Sequence, residues 1–105
     1  MKKITVLLSD DHTVVREGLR LLLETESDIQ VVGEAAKGQR AVGETKRLKP
    51  DVVLLDLAMP VLNGLVAARQ IAKEAPAAKV LILSAYSDDQ YVKHAVEAGA
   101  AGYLT

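Results

Sequence analysis

Five short apolar runs recur along the chain: Ile4 to Leu8, Val31 to Ala35, Val52 to Leu55, Val80 to Leu83 and Ala101 to Leu104. Each but the last is followed by a segment whose apolar residues fall at helical spacing. The runs have the length of strands, and stripes spaced by three and four residues form one face of an amphipathic helix. No other feature constrains the chain as much. Alternating strands and helices with short connections imply parallel strands, right-handed crossovers and helices on both faces of one sheet.

The helical segments carry their own punctuation. Val15, Leu19, Leu22 and Leu23 mark the buried face of the first. Gln39 to Leu48 forms a second, more polar helix that Pro50 prevents from continuing. Asn63 is a good N-cap for the third, in which Leu65, Ala68, Ile71 and Ala72 supply the buried stripe before Pro76. Ser87 and Gln90 match a capping box for the fourth, with Val92, Ala95 and Val96 inward and Gly99 as its stop.

Strand composition then orders the sheet. Runs one, three and four are almost wholly aliphatic, as strands covered on both faces must be, whereas run two carries Glu34 and run five Gly102 and Tyr103. Runs two and five therefore belong at the edges. The expected fold is a doubly wound α/β domain, a parallel five-stranded sheet of flavodoxin-like order 2-1-3-4-5, whose winding reverses between strands one and three.

Ligands of such sheets bind at that reversal, outside the carboxyl ends of the strands. Strand one ends in Ser9, Asp10 and Asp11, strand three in Asp56 and strand four in Ser84. Neighbouring strands lie about 4.8 Å apart, so the three carboxylates share one small site. Like charges so close oppose each other's ionisation, and the pocket must protonate one of them or recruit a cation. Oxygen-only donors favour a hard ion such as Mg²⁺.

With the ion bound, a carboxylate can attack phosphorus to form an aspartyl phosphate. Phosphoryl transfer asks the protein mainly for positioning and charge neutralisation. Asp56, alone at the end of the central strand, is the favoured acceptor. Asp10 and Asp11 suit the ion, and Ser84 supplies a hydroxyl. Taken singly, each has a plainer explanation: an Asp after a strand is often a turn former or N-cap, and a strand-end hydroxyl often bonds to backbone. Their joint placement favours the chemical reading.

Composition removes competing classes. A chain of 105 residues suits one domain. With 13 basic against 14 acidic side chains and only three aromatics, all Tyr, it offers neither a basic surface nor a stacking platform for nucleic acid. The absence of Cys removes disulfides, thiolate zinc sites and thiol nucleophiles. No apolar run approaches the roughly 18 to 20 residues of a membrane span, and Ile4 to Leu8 is too short for a secretion signal. A soluble, cytoplasmic chain without a membrane partner is expected.

The acidic pair Asp10-Asp11, the stretch from Val52 to Pro60 centred on Asp56, Asn63-Gly64, Leu83-Ser84-Ala85 and the segment Ala98 to Leu104 together resemble a response-regulator receiver domain of bacterial two-component signalling. The resemblance runs along essentially the whole chain. It implies that Asp56 takes a phosphoryl group from a phosphohistidine on a sensor histidine kinase. It places Mg²⁺ on Asp11, Asp56 and the Ala58 backbone carbonyl, with Asp10 contributing through water. It makes Ser84 the hydroxyl that turns toward the phosphoryl group and Tyr103 the aromatic that follows. The output is a population shift altering the surface around helix four and strand five. Without that context Tyr103 reads as an edge residue covering core with its ring, and His12 and His94 as surface side chains.

Asp10-Asp11-His12 followed by Arg16-Glu17-Gly18-Leu19 narrows the likeness to regulators of the NarL/FixJ type. Those join the receiver to a C-terminal LuxR-type helix-turn-helix, so the parent protein is expected to regulate transcription, while this chain contacts no nucleic acid itself. Receivers of this type continue after Thr105 with a Lys that pairs with the phosphoryl group, then a fifth helix. Residues 1–105 are accordingly expected to be a receiver truncated after strand five, poorly phosphorylated and prone to self-association as a homodimer. Lys79, at the other end of strand four, does not replace that Lys.

Three other readings compete. A dehalogenase-type phosphatase needs a general acid two positions after its nucleophile, where this chain has Ala58. An FMN binder needs a phosphate loop after strand one, where Asp10 and Asp11 repel phosphate. A non-phosphorylated interaction module with a degenerate acidic pocket is the non-chemical alternative. The expected role is that of an acceptor, with at most Mg²⁺-dependent self-phosphorylation and self-dephosphorylation.

Overall fold

The computed structural model describes residues 3–10, 12–36, 38–57, 61–84 and 89–104, with the backbone alone at 38, 39, 56, 57, 61–64, 84 and 89–91. Strands and helices alternate: β1 (Ile4–Ser9), α1 (Thr13–Glu24), β2 (Ile29–Ala35), α2 (Gly38–Leu48), β3 (Val52–Leu57), α3 (Val61–Glu74), β4 (Lys79–Ser84), α4 (Asp89–Glu97) and β5 (Gly102–Leu104). All pairings are parallel, and the strand order is β2-β1-β3-β4-β5. The doubly wound flavodoxin-like architecture expected from the apolar runs is the one observed.

The two faces of the sheet are packed unequally. On one, Leu7, Val53, Leu55, Val80 and Ile82 meet Ala41 and Val42 of α2, Leu65, Ala68 and Ile71 of α3, and Ala95 of α4 in a single dry cluster. The alternate strand residues Val6, Leu8 and Val31 face the other way, against Leu19 and Leu23 of α1. No residue of α1 is fully buried. Val15 and Leu22, expected on its inner face, are 44% and 67% exposed. Helical spacing groups side chains on one face but does not say how much sheet lies beneath them. With α1 the only described helix on that face, Val52, Leu54, Leu81 and Leu83 are only partly covered. Their aliphatic character had suggested strands covered on both faces.

One further expectation needs correction. Helix α3 starts at Val61, so Asn63 lies inside the helix and is not its N-cap. The proposed capping Ser87 lies outside the described residues. At the other end of α4 the reading holds in detail. Gly99 has φ +91°, its N–H donates to the Val96 carbonyl at 3.0 Å, and the Ala100 N–H reaches back to Ala95 at 3.0 Å. This is a Schellman closure, which requires the left-handed backbone that glycine adopts without penalty.

Strand β2 contains an irregularity that periodicity does not reveal. Val6 pairs with Val31 but Leu7 pairs with Gly33, leaving Val32 as an extra residue. A bulge of this kind reverses the parity of the residues beyond it. Val31 and Glu34, three apart, thus both face α1, and Ala35 joins the dry cluster on the opposite side. No helix among the described residues is long and apolar enough to cross a membrane.

Candidate functional site

The carboxyl ends of β1, β3 and β4 meet where the winding reverses. Ser9 is registered against Leu55, so the next residues along these adjacent strands are Asp10 and Asp56. Asp56 pairs with Leu83 and Leu57 with Ser84, which sets Ser84 one step beyond Asp56 on the neighbouring strand. Tyr103 pairs with Ile82, one position short of the Asp56 level and two short of Ser84, and its half-buried side chain packs on the main core. The fold thus gathers Asp10, Asp56, Ser84 and Tyr103 at one end of the sheet. Asp11 and Ala58 lie outside the described residues.

Asp10 is 3% exposed, deeply buried for a carboxylate. Its N–H donates to the Ala35 carbonyl at 3.0 Å. Its Oδ1 accepts the His12 backbone N–H at 2.8 Å and lies 3.4 Å from His12 Nδ1. Its Oδ2 is fully enclosed and has no hydrogen-bonding partner among the described residues. Leaving an ionised oxygen buried without a partner is costly, and a bound cation removes that cost. The orphaned oxygen and the all-oxygen donor set fit a hard divalent ion, although no group of three potential ligands assembles among the described residues. His12, expected simply to be solvated, is exposed yet turns its ring nitrogen toward Asp10.

Sequence reasoning left out two residues that shape this corner. Arg16, in the first turns of α1, donates from Nη1 to the Asp10 carbonyl at 2.6 Å and from Nε to Glu34 Oε1 at 3.0 Å. Arg20 takes the other Glu34 oxygen at 2.5 Å and Glu24 at 3.1 Å. Hydrogen bonding to Glu34 first, then to Glu24, holds the Arg20 guanidinium above its usual pKa. A lone Glu in an apolar strand and two Arg one turn apart were the available signals. Glu34 had served only to place β2 at an edge and Arg16 only to mark a family likeness, and Arg20 had no part in either. A cavity of about 370 Å³ lined by Thr45, Lys49, Pro50, Glu74 and Pro76 lies at the opposite end of the sheet, away from the carboxylates.

The family model described as the response regulator receiver domain matches residues 6–105. The chain belongs to the response regulator receiver domains. The receiver is 45% identical over 101 residues to the response regulator protein VraR of Staphylococcus aureus, a match covering 96% of this chain and 48% of VraR. It is 43% identical over 98 residues to the uncharacterised transcriptional regulatory protein YhcZ of Bacillus subtilis, covering 93% of this chain and 46% of that protein. Among solved structures, the signal receiver domain of the putative response regulator NarL from Mycobacterium tuberculosis superposes with a TM-score of 0.91 at 36% identity, covering 99% of this chain and 84% of that one. The receiver spans less than half the length of the curated relatives it matches.

Proposed function

We propose that this receiver is the phosphoacceptor module of a two-component transcription regulator, with Asp56 as the acceptor. The supporting observation is the buried, unpartnered Oδ2 of Asp10 at the end of β1, one strand across from Asp56. In this reading the Asp56 carboxylate attacks the phosphorus of a phosphohistidine on a sensor histidine kinase. The P–N bond breaks, an acyl phosphate forms, and the imidazole leaves as the proton acceptor. Asp11, Asp56 and the Ala58 carbonyl, helped by Asp10, would hold Mg²⁺, which would supply neutralising charge for the incoming phosphoryl group.

The protein's own residues do the rest. Asp10 lines the pocket from β1, and Ser84 offers its hydroxyl to the phosphoryl oxygens from β4. Tyr103, on the neighbouring edge strand, follows Ser84 and changes the α4–β5 surface. That surface passes the signal to a C-terminal helix-turn-helix domain of the parent protein, in the cytoplasm, where kinase and DNA are both accessible. The chain stores a phosphoryl group and does not turn over substrate beyond slow loss of its own.

Intact-mass measurement after incubation with Mg²⁺ and a small phosphodonor such as phosphoramidate tests this function. Substoichiometric phosphorylation, at most one phosphoryl group per chain, is expected, lost on Asp56→Asn and on chelation of the metal. Phosphorylation that persists in Asp56→Asn overturns the assignment of the acceptor. Failure of the wild-type protein to accept a phosphoryl group overturns the function.

A further inference from the structure

We propose that Arg16, oriented by Glu34, is a positioning residue for the cation site: it fixes the peptide that follows Asp10 and so sets the affinity of the pocket for Mg²⁺. This rests on the reading of the pocket as a Mg²⁺ site. Three independent features of the structure converge on it.

The first is the state of Asp10 itself. Its N–H is tied to Ala35, its carbonyl to Arg16 and its Oδ1 to the His12 N–H, so among the described residues Oδ2 alone is left over. A residue held at three of its four polar atoms has its fourth aimed in advance. The Arg16 bond is the one made by a side chain from another element, and it acts on the carbonyl that leads directly into Asp11.

The second is the span of the guanidinium. One nitrogen reaches the β1–α1 connection and another reaches β2, with the side chains of Arg16 and Glu34 only 17% and 25% exposed. Two acceptors in fixed directions suit the planar fork of arginine, whereas an ammonium group is a single point charge. Glu34 in turn is gripped on its second oxygen by Arg20, so the anchor cannot swing away with Arg16.

The third is the bulge. Glu34 lies under α1 because Val32 is an extra residue in β2. Regular pleating from Val31 would turn Glu34 to the α2 side. The strand gives up one regular pairing at the point that brings this carboxylate to Arg16. Bulges that re-aim a side chain are frequent beside functional sites.

Outer-shell groups that orient a metal ligand change affinity by about 10- to 100-fold when removed. The test is calorimetric Mg²⁺ titration of the intact protein, wild type against Arg16→Met, Glu34→Gln and the double variant, with circular dichroism to verify the fold. Arg16→Met is expected to raise the Mg²⁺ dissociation constant roughly tenfold, Glu34→Gln to raise it less, and the double variant to match Arg16→Met, because the pair acts as one unit. The phosphorylation rate at saturating Mg²⁺ is expected to stay within about twofold of wild type, a separation that general structural damage would not produce.

If Arg16→Met does not fold, Arg16→Lys replaces it, with a weaker but measurable loss expected. Wild-type affinity in a folded Arg16 variant overturns the positioning role and leaves the Mg²⁺ site standing. No Mg²⁺ binding by the wild type overturns both.

Discussion

Thr5 and Asp51, 46 residues apart in sequence, clasp one another at the amino-terminal end of the sheet. Asp51 Oδ2 accepts the Thr5 N–H at 2.9 Å and its hydroxyl at 3.1 Å, while the Asp51 N–H donates to the same hydroxyl at 2.9 Å. The clasp pins the start of β1 to the residue before β3. Because Asp10 and Asp56 stand at the far ends of these strands, their alignment depends on the register fixed here. Asp51→Ala is expected to lower stability by about 1 to 2 kcal/mol, the scale of lost partly exposed hydrogen bonds, with no change in the nature of the pocket. Urea unfolding measures the loss.

The unequal faces of the sheet predict unequal tolerance to substitution. Ile82→Ala removes a wholly buried side chain from the dry cluster and is expected to cost about 2 to 5 kcal/mol. Leu22→Ala removes a side chain of similar size from the exposed side of α1, and a change within about 0.5 kcal/mol is expected. Comparable losses in denaturant titrations of the two variants would contradict the asymmetry.

Gly99 is constrained twice. Its φ of +91° is unfavourable for any L side chain, and an added Cβ would stand 2.8 Å from the Ala72 Cβ of α3. Gly99→Ala is expected to cost about 1 to 3 kcal/mol and to lower the thermal midpoint correspondingly. Ala72→Gly in the same chain relieves the collision but not the backbone strain, so it recovers only part of the loss.

The orphaned Asp10 oxygen gives a prediction about metal removal. At Mg²⁺ concentrations about 100-fold above its dissociation constant, wild type is expected to gain roughly 2.7 kcal/mol over metal-free protein. Asp10→Asn keeps an oxygen for the His12 N–H but lowers the charge. It is expected to be at least as stable as wild type in chelator and to gain much less from Mg²⁺. Thermal scans with Mg²⁺ and with EDTA check both points.

Much of this fold is legible in the amino-acid order because strand burial leaves a compositional trace. Aliphatic runs three and four and the polar Glu34 and Gly102 suffice to place centre and edges, and the strand-end carboxylates follow from the winding. The start of α3 was misread because Asn63 is a good N-cap residue wherever it occurs, and the helix had already begun at Val61. The exposure of Val15 and Leu22 was missed because spacing describes a helix in isolation, and burial depends on what packs beside it. Glu34 was read correctly as an edge residue and incompletely as a chemical one. Its partners, Arg16 and Arg20, come from a separate element, and no local pattern announces a pairing made across a crossover.

The extra residue in β2 gives that strand two phases, one before Val32 and one after it. Counting by twos from Val31 would put Glu34 among the aliphatic side chains beneath α2 and turn Ala35 toward α1. Deleting Val32 would remove the bulge and leave Val31, Gly33 and Glu34 as consecutive partners of Val6, Leu7 and Leu8, so Glu34 would stay under α1. Straightening the strand with Val32 retained would instead exchange a carboxylate paired beneath α1 for an unpaired interior one, and the whole domain would feel it.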